Sequence, residues 1–90
     1  MELVDNTVEA DREFLRALGN AVITRRLQLG INQDDAARAA GINKSLLVRL
    51  EHGLVDVEIV TLHRLAEALR CQPADLVEMA EREIPSTKVS

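Results

Sequence analysis

Aromatic residues are all but missing from this 90-residue chain: Phe14 stands alone, with no Trp or Tyr. A core without rings has to be built from Leu, Ile, Val and Ala, which suits helices packed closely through small side chains. Two prolines and four glycines leave little punctuation for a many-stranded fold. The single cysteine, Cys71, has no partner for an internal disulfide, which fits a reducing compartment. No run of about 18 apolar residues occurs, and "MELVDNTVEA" lacks the pattern of a signal peptide. The expectation is a soluble, cytoplasmic protein. With no CxxC, HExxH, Gly-rich phosphate loop or supported Ser/His/Asp arrangement, neither an enzyme nor a cofactor is expected.

What is present is charge of both signs, unevenly spread. The net charge is −4 and the isoelectric point about 5.1, which on its face argues against nucleic acid. Residues 25–70, however, hold seven basic and six acidic side chains, a balance of +1, while the flanks hold four basic and nine acidic, a balance of −5. The acid sits at the ends, so the middle is free to face phosphate.

The apolar periods are helical throughout. Residues 1–10 carry acids and no clear period and read as a flexible arm or a frayed first turn. From Asp11 to Leu29 the stripe Phe14, Leu18, Val22 recurs every four residues, and continuing it reaches Arg26. A cation on an apolar stripe demands a partner, because an unpaired buried charge is expensive. Gly30 closes this helix. Asn32 is a good N-cap for a second, "QDDAARAA", with acids in its first turn. Asn43 caps a third, from Lys44 to about His52, whose inward residues are Leu47 and Leu50, with Ile42 in the turn before them. Lys44, Ser45, Val48, Arg49 and His52 form its outer face. A fourth helix carries Leu62, Leu65, Ala66 and Leu69; a fifth opens at Gln72 and Pro73 and presents Leu76, Val77 and Ala80. The fold expected is all-α, a bundle of five short helices over residues 11–84, with a disordered tail over 85–90.

Helix, a turn of three or four residues containing Gly, then helix is the helix-turn-helix layout. Ala37 must be small where the second helix crosses it, Gly41 relieves the turn, and Ile42, Leu47 and Leu50 anchor the third helix so that its other face can project into a major groove. Over roughly residues 16–79 the chain resembles the lambda-repressor and Cro type of helix-turn-helix domain, the XRE family. The resemblance is carried by "RRLQLGINQDDAARAAGINKSLLVRLEHG" and "TLHRLAEALRCQPADLV". It implies a sequence-specific DNA-binding transcriptional regulator, a repressor, acting as a homodimer on a near-palindromic operator of double-stranded DNA. It also implies roles by position. Lys44, Ser45, Val48 and Arg49 would reach base edges, where cations suit guanine O6 and N7. Gln33 would touch a phosphate and brace the start of the recognition helix, with Asn32 and His52 as further phosphate contacts. Arg26 would pair with Glu51, supplying the partner its stripe demands.

Two stretches depart from the family pattern. Leu46 and Val48 stand where small polar residues are usual, and the loop "LVDVEIV" carries Asp56 and Glu58 where relatives place groups that face phosphate. Leu54, Val55 and Val57 either pad the core beside Ile59 or form a self-association surface, which Met79 and Ile84 would extend. The alternative function is a protein-interaction module on the same fold, an antirepressor or antitoxin-like partner that binds another protein through Leu46, Val48 and the apolar loop. His63, Glu67 and Cys71, four residues apart along the fourth helix, imitate a metal site but supply only three ligands, and no metal is expected.

Overall fold

The computed structural model describes residues 2–85, with side chains from residue 8 onward. The element order is α1 (Glu2–Leu29), α2 (Gln33–Ala40), α3 (Lys44–Glu51), α4 (Ile59–Ala68) and α5 (Pro73–Glu83). No strand occurs among the described residues.

Helix α1 begins at Glu2 rather than at Asp11, so residues 2–10 of the stretch read as an arm or a frayed first turn are helical. Its 28 residues span about 42 Å at 1.5 Å per residue, which matches the longest dimension of the molecule, 42 Å against 23 and 19 Å. Val8, Glu9 and Ala10 are exposed, as are Asp11 to Glu13, so no buried face holds these turns. Between Glu2 and Leu18 there is neither Gly nor Pro, and adding a residue to an existing helix costs far less than starting one. A stretch that propagates from a packed helix shows no apolar period, which is why the pattern missed it. Of the tail expected over 85–90, residues 86–90 lie outside the described residues.

The remaining elements follow their punctuation closely. Asn32 Oδ1 accepts the Asp35 amide at 2.8 Å and caps α2, and Asn43 Oδ1 accepts the Leu46 amide at 2.7 Å and caps α3. At the start of α5 the Gln72 amide donates to the Asp75 carboxylate at 2.9 Å. The core is aliphatic: Val22, Leu47, Leu50, Leu65, Leu69 and Leu76 are its largest fully buried side chains, interleaved with Ala17, Ala21, Ala36, Ala37, Ala40, Ala66 and Ala80. Helix α1 packs on α3 and α5, α2 on α3 and α4, and α4 on α5. Helix α5 runs back along α1, where Glu83 near its end accepts from Asn20 Nδ2 at 2.8 Å.

The end of α3 is seated on α1 by absent side chains. A Cβ at Gly19 would run into the Glu51 carbonyl oxygen and come within 2.7 Å of that of Leu50. A Cβ at Gly53, just beyond α3, would lie 2.7 Å from the Arg16 Cα. Both obstructions are backbone and cannot swing aside. The opposite choice is made at Arg70, which ends α4 in the left-handed region (φ 57°), where glycine is usual.

Two substitutions test this reading by urea denaturation. Gly19→Ala should destabilise by about 1–3 kcal/mol, the cost of overpacking a close helix crossing. Arg70→Gly should leave the fold intact and raise stability by up to about 1 kcal/mol, because it relieves the left-handed residue.

Candidate nucleic-acid interface

The turn between α2 and α3 is closed by backbone. Gly41 adopts a left-handed conformation (φ 71°) as the cap of α2, and the Ile42 amide returns to the Ala37 carbonyl at 3.0 Å. Ala37 and Ala40 are buried, and Ile42 packs against the core cluster. With Leu47, Leu50 and Glu51 turned inward, α3 shows Lys44, Ser45 and Arg49 to solvent. Val48 is half-buried beside them, and His52 is exposed at the helix end, its ring Nδ1 donating to the Val48 carbonyl at 2.8 Å.

Arg26 and Glu51 meet beneath this face. Arg26 Nε donates to Glu51 Oε2 at 2.8 Å and Nη2 donates to Oε1 at 3.2 Å, a two-pronged pair, while Nη1 donates to the Ile31 carbonyl at 3.1 Å. Only 12% of the Arg26 side chain and 2% of the Glu51 side chain remain exposed. Gln33 joins them: its Nε2 donates to Glu51 Oε1 at 2.9 Å. Its amide therefore braces the end of α3, not the start. The reason is direction: Gln33 is half-buried and its side chain turns in toward a carboxylate that has a lone pair to spare. Among the described residues no buried side-chain N or O atom lacks a hydrogen-bond partner, as a charge taken into an apolar interior requires.

The surface charges are paired more loosely. Lys44 Nζ lies 3.3 Å from Asp34 Oδ1, both more than half exposed. Such a pair is worth at most about 1 kcal/mol, so the lysine is readily released. Nothing in the spacing of Asp34 and Lys44 announced it; it follows from how the turn folds α2 beside α3. Among the described residues Arg49 makes no ion pair, and its Nε donates to the Ser45 carbonyl at 3.4 Å. Leu46 lines a shallow cleft with Leu50, Val57 and Thr61. That placement turns it toward the loop instead of outward with Lys44 and Ser45. Asp56 and Glu58 are exposed on the same loop.

The apolar residues of the loop and α5 divide into two sets. Val55, Val57, Met79 and Ile84 pack, partly buried, against the core, whereas Leu54 is 70% exposed. Ile59, expected inside, is 73% exposed, and Val60 beside it 55%. The reason is their position at the first turn of α4, before its buried stripe of Leu62, Leu65 and Ala66 begins. Among the described residues no group of three or more His, Cys, Asp or Glu converges as a metal site; His63 and Glu67 are exposed and Cys71 half-buried. No helix among them is long and apolar enough to cross a membrane.

Residues 26–82, the span that holds both crossed helices and the ion pair, match the family of Cro/C1-type HTH DNA-binding domains. The chain belongs to that family. The structure of the clp gene regulator ClgR from Corynebacterium glutamicum is similar, with a TM-score of 0.76 at 26% identity over 80% of this chain and 94% of that one. So is that of the restriction-modification controller protein C.AhdI from Aeromonas hydrophila, with a TM-score of 0.68 at 29% identity over 69% of this chain and 94% of that one. No curated protein matches the sequence. As a Cro/C1-type domain, the chain holds its α2–α3 pair on the same body that the Arg26–Glu51–Gln33 cluster fastens from beneath.

Removing one member of that cluster gives its strength. Glu51→Ala strands Arg26 in an apolar setting and should cost about 3–5 kcal/mol, whereas Gln33→Ala removes one hydrogen bond to a charged group and should cost about 1.5–3 kcal/mol. Equilibrium urea unfolding followed by circular dichroism checks both. A loss below 1 kcal/mol for Glu51→Ala, on the order of an exposed pair, would contradict the geometry.

Proposed function

We propose that the chain is a cytoplasmic, sequence-specific DNA-binding transcriptional repressor that places α3 in the major groove. The observation that carries this reading is the division of α3 into two faces. Leu47, Leu50 and Glu51 are locked into the body, and Lys44, Ser45 and Arg49 are exposed on the other side. A helix held this firmly presents its outer side chains at fixed positions, which base recognition needs. Arg49 and Lys44 are donors for guanine O6 and N7, Ser45 suits either partner of a base pair, and the half-buried Val48 meets a thymine methyl. Asn32, the amides at the start of α2 and His52 contact phosphate. Gln33 serves as a positioning residue through Glu51.

The active form we propose is a homodimer that sets two α3 helices in successive major grooves, about 34 Å apart, on a near-palindromic operator. The exposed apolar side chains Leu54, Ile59 and Val60 support a seam at the loop and the start of α4. Val55 and Val57, being packed against the core, serve mainly to hold that loop in place.

Gel shifts on randomised duplex pools, followed by affinity measurements on the enriched site, test the reading. Arg49→Ala should relax specificity at one operator position by about 1–3 kcal/mol of discrimination, while Gln33→Ala should weaken all sequences evenly. With Asp56 and Glu58 on the loop, few phosphates are neutralised; we expect about three to five ion contacts per dimer and a log–log salt slope of roughly −3 to −5. A slope near −10 would point to other cations. No enrichment even at low salt would overturn the DNA reading in favour of a protein-binding module. For the dimer, Leu54→Lys combined with Ile59→Lys should shift sedimentation from dimer to folded monomer. A double variant that stays dimeric would move the seam to α5.

A further inference from the structure

Three of the chain's arginines converge where no function has been assigned. Arg25 on α1, Arg70 at the end of α4 and Arg82 on α5 line one cleft of about 370 Å³, with Gln28, Cys71 and Met79. Asp75 is the one carboxylate on its wall, and that group already accepts the Gln72 amide at 2.9 Å. Three arginines against Asp75 on the wall and Glu78 beside Arg82 leave a net positive pocket in a chain of net charge −4.

Among the described residues two of the three cations there are left without an ion pair, and the third is paired only at the surface. Arg25 Nε donates to the Leu69 carbonyl at 2.9 Å, Nη2 to the Arg70 carbonyl at 3.0 Å and Nη1 to Gln28 Oε1 at 3.4 Å. Every one of these acceptors is neutral, so the group is oriented while its charge stays uncompensated. Arg70 makes no ion pair among the described residues. It also occupies a backbone conformation (φ 57°) that glycine would fill with less strain, and from that position it lines the cleft. Arg82 lies 3.4 Å from Glu78 in a pair about two-thirds exposed, which an anion of higher charge can displace.

We propose that this cleft binds a small ligand that carries a phosphate or pyrophosphate group, gripped by Arg25, Arg70 and Arg82. The chemistry selects phosphate over a single carboxylate. Planar guanidinium forks pair two-by-two with phosphate oxygens, and a dianion with three free oxygens uses three forks where one carboxylate uses one or two. The volume fits a small ligand, toward the lower end of the range for such sites. Gln28 offers an amide and Met79 an apolar wall to the rest of the molecule. None of the residues lining the cleft belongs to α3, so the site is separate from the face proposed to read DNA.

Cys71 supplies the assay, because it is the only cysteine and lies in the cleft. Burial pushes its thiol up and the Arg25 charge pulls the other way. An anion on the arginines both shields the sulfur and cancels that pull, so occupancy slows alkylation. With iodoacetamide at fixed pH and matched chloride ionic strength, pyrophosphate at about 10 mM should slow alkylation about threefold or more, as a site of millimolar affinity predicts. Malonate, the dicarboxylate probe, should do markedly less. Arg70→Gly and Arg82→Gln should each lose most of the protection while remaining folded by circular dichroism. Arg64→Gln, an exposed arginine outside the cleft, should keep it. No slowing by pyrophosphate, equal slowing in all four proteins, or equal protection by malonate would overturn the proposal. Protection by duplex DNA with none from pyrophosphate would also overturn it and reassign the cleft as a nucleic-acid contact.

Discussion

One carboxylate ties the molecule together. Glu51, almost wholly removed from water, accepts from both prongs of Arg26 and from Gln33, so α1, α2 and α3 share a single acceptor. An aliphatic core excludes water but is tolerant about angle; Leu47 and Leu50 would sit nearly as well with α3 rotated by several degrees. A buried charge with three named donors is not tolerant, since any rotation that lengthens one bond exposes the desolvation cost of the others. In this small domain the core supplies adhesion and the ion cluster supplies aim. The glycine at position 19 belongs to the same crossing, because a Cβ there would run into the backbone carbonyl of Glu51 itself.

Much of this was legible in the chain, for reasons that differ by element. Asn32, Gly41 and Asn43 act locally, through bonds to amides and carbonyls a few residues away, so α2 and α3 could be read residue by residue. The position of Arg26 on an apolar stripe announced a buried partner, and the family pattern named Glu51. What depends on the crossing of elements was not legible. The turn of Gln33 toward Glu51, the Lys44–Asp34 pair and the close approach at Gly19 each join residues whose proximity no periodicity encodes. The exposure of Ile59 is a case between the two: apolar character suggested burial, yet the first turn of α4 precedes the face that meets the core. The early start of α1 was missed because its period is absent.

Charge is arranged with similar economy. The carboxylates of the flanks keep the net charge negative, while two separate positive regions survive, one on α3 and one between α1, α4 and α5. In a strongly basic domain neither would stand out from its surroundings. Here each is a local exception, and Asp56 and Glu58 sharpen the first by making the neighbouring loop unattractive to phosphate. On the proposed DNA-binding reading, such a surface trades general affinity for backbone against contrast between sites.

Helix α1 is one continuous element with two stabilities. Its central turns, around Ala17 to Val22, are buried under α3 and α5 and open only when the whole domain does. The turns around Val8 to Ala10 meet solvent on every side and are free to fray and re-form without disturbing a single core contact. The same rod is therefore a keel at one end and a bowsprit at the other. Amide exchange along it would pass from fast at the exposed turns to slow at the packed ones.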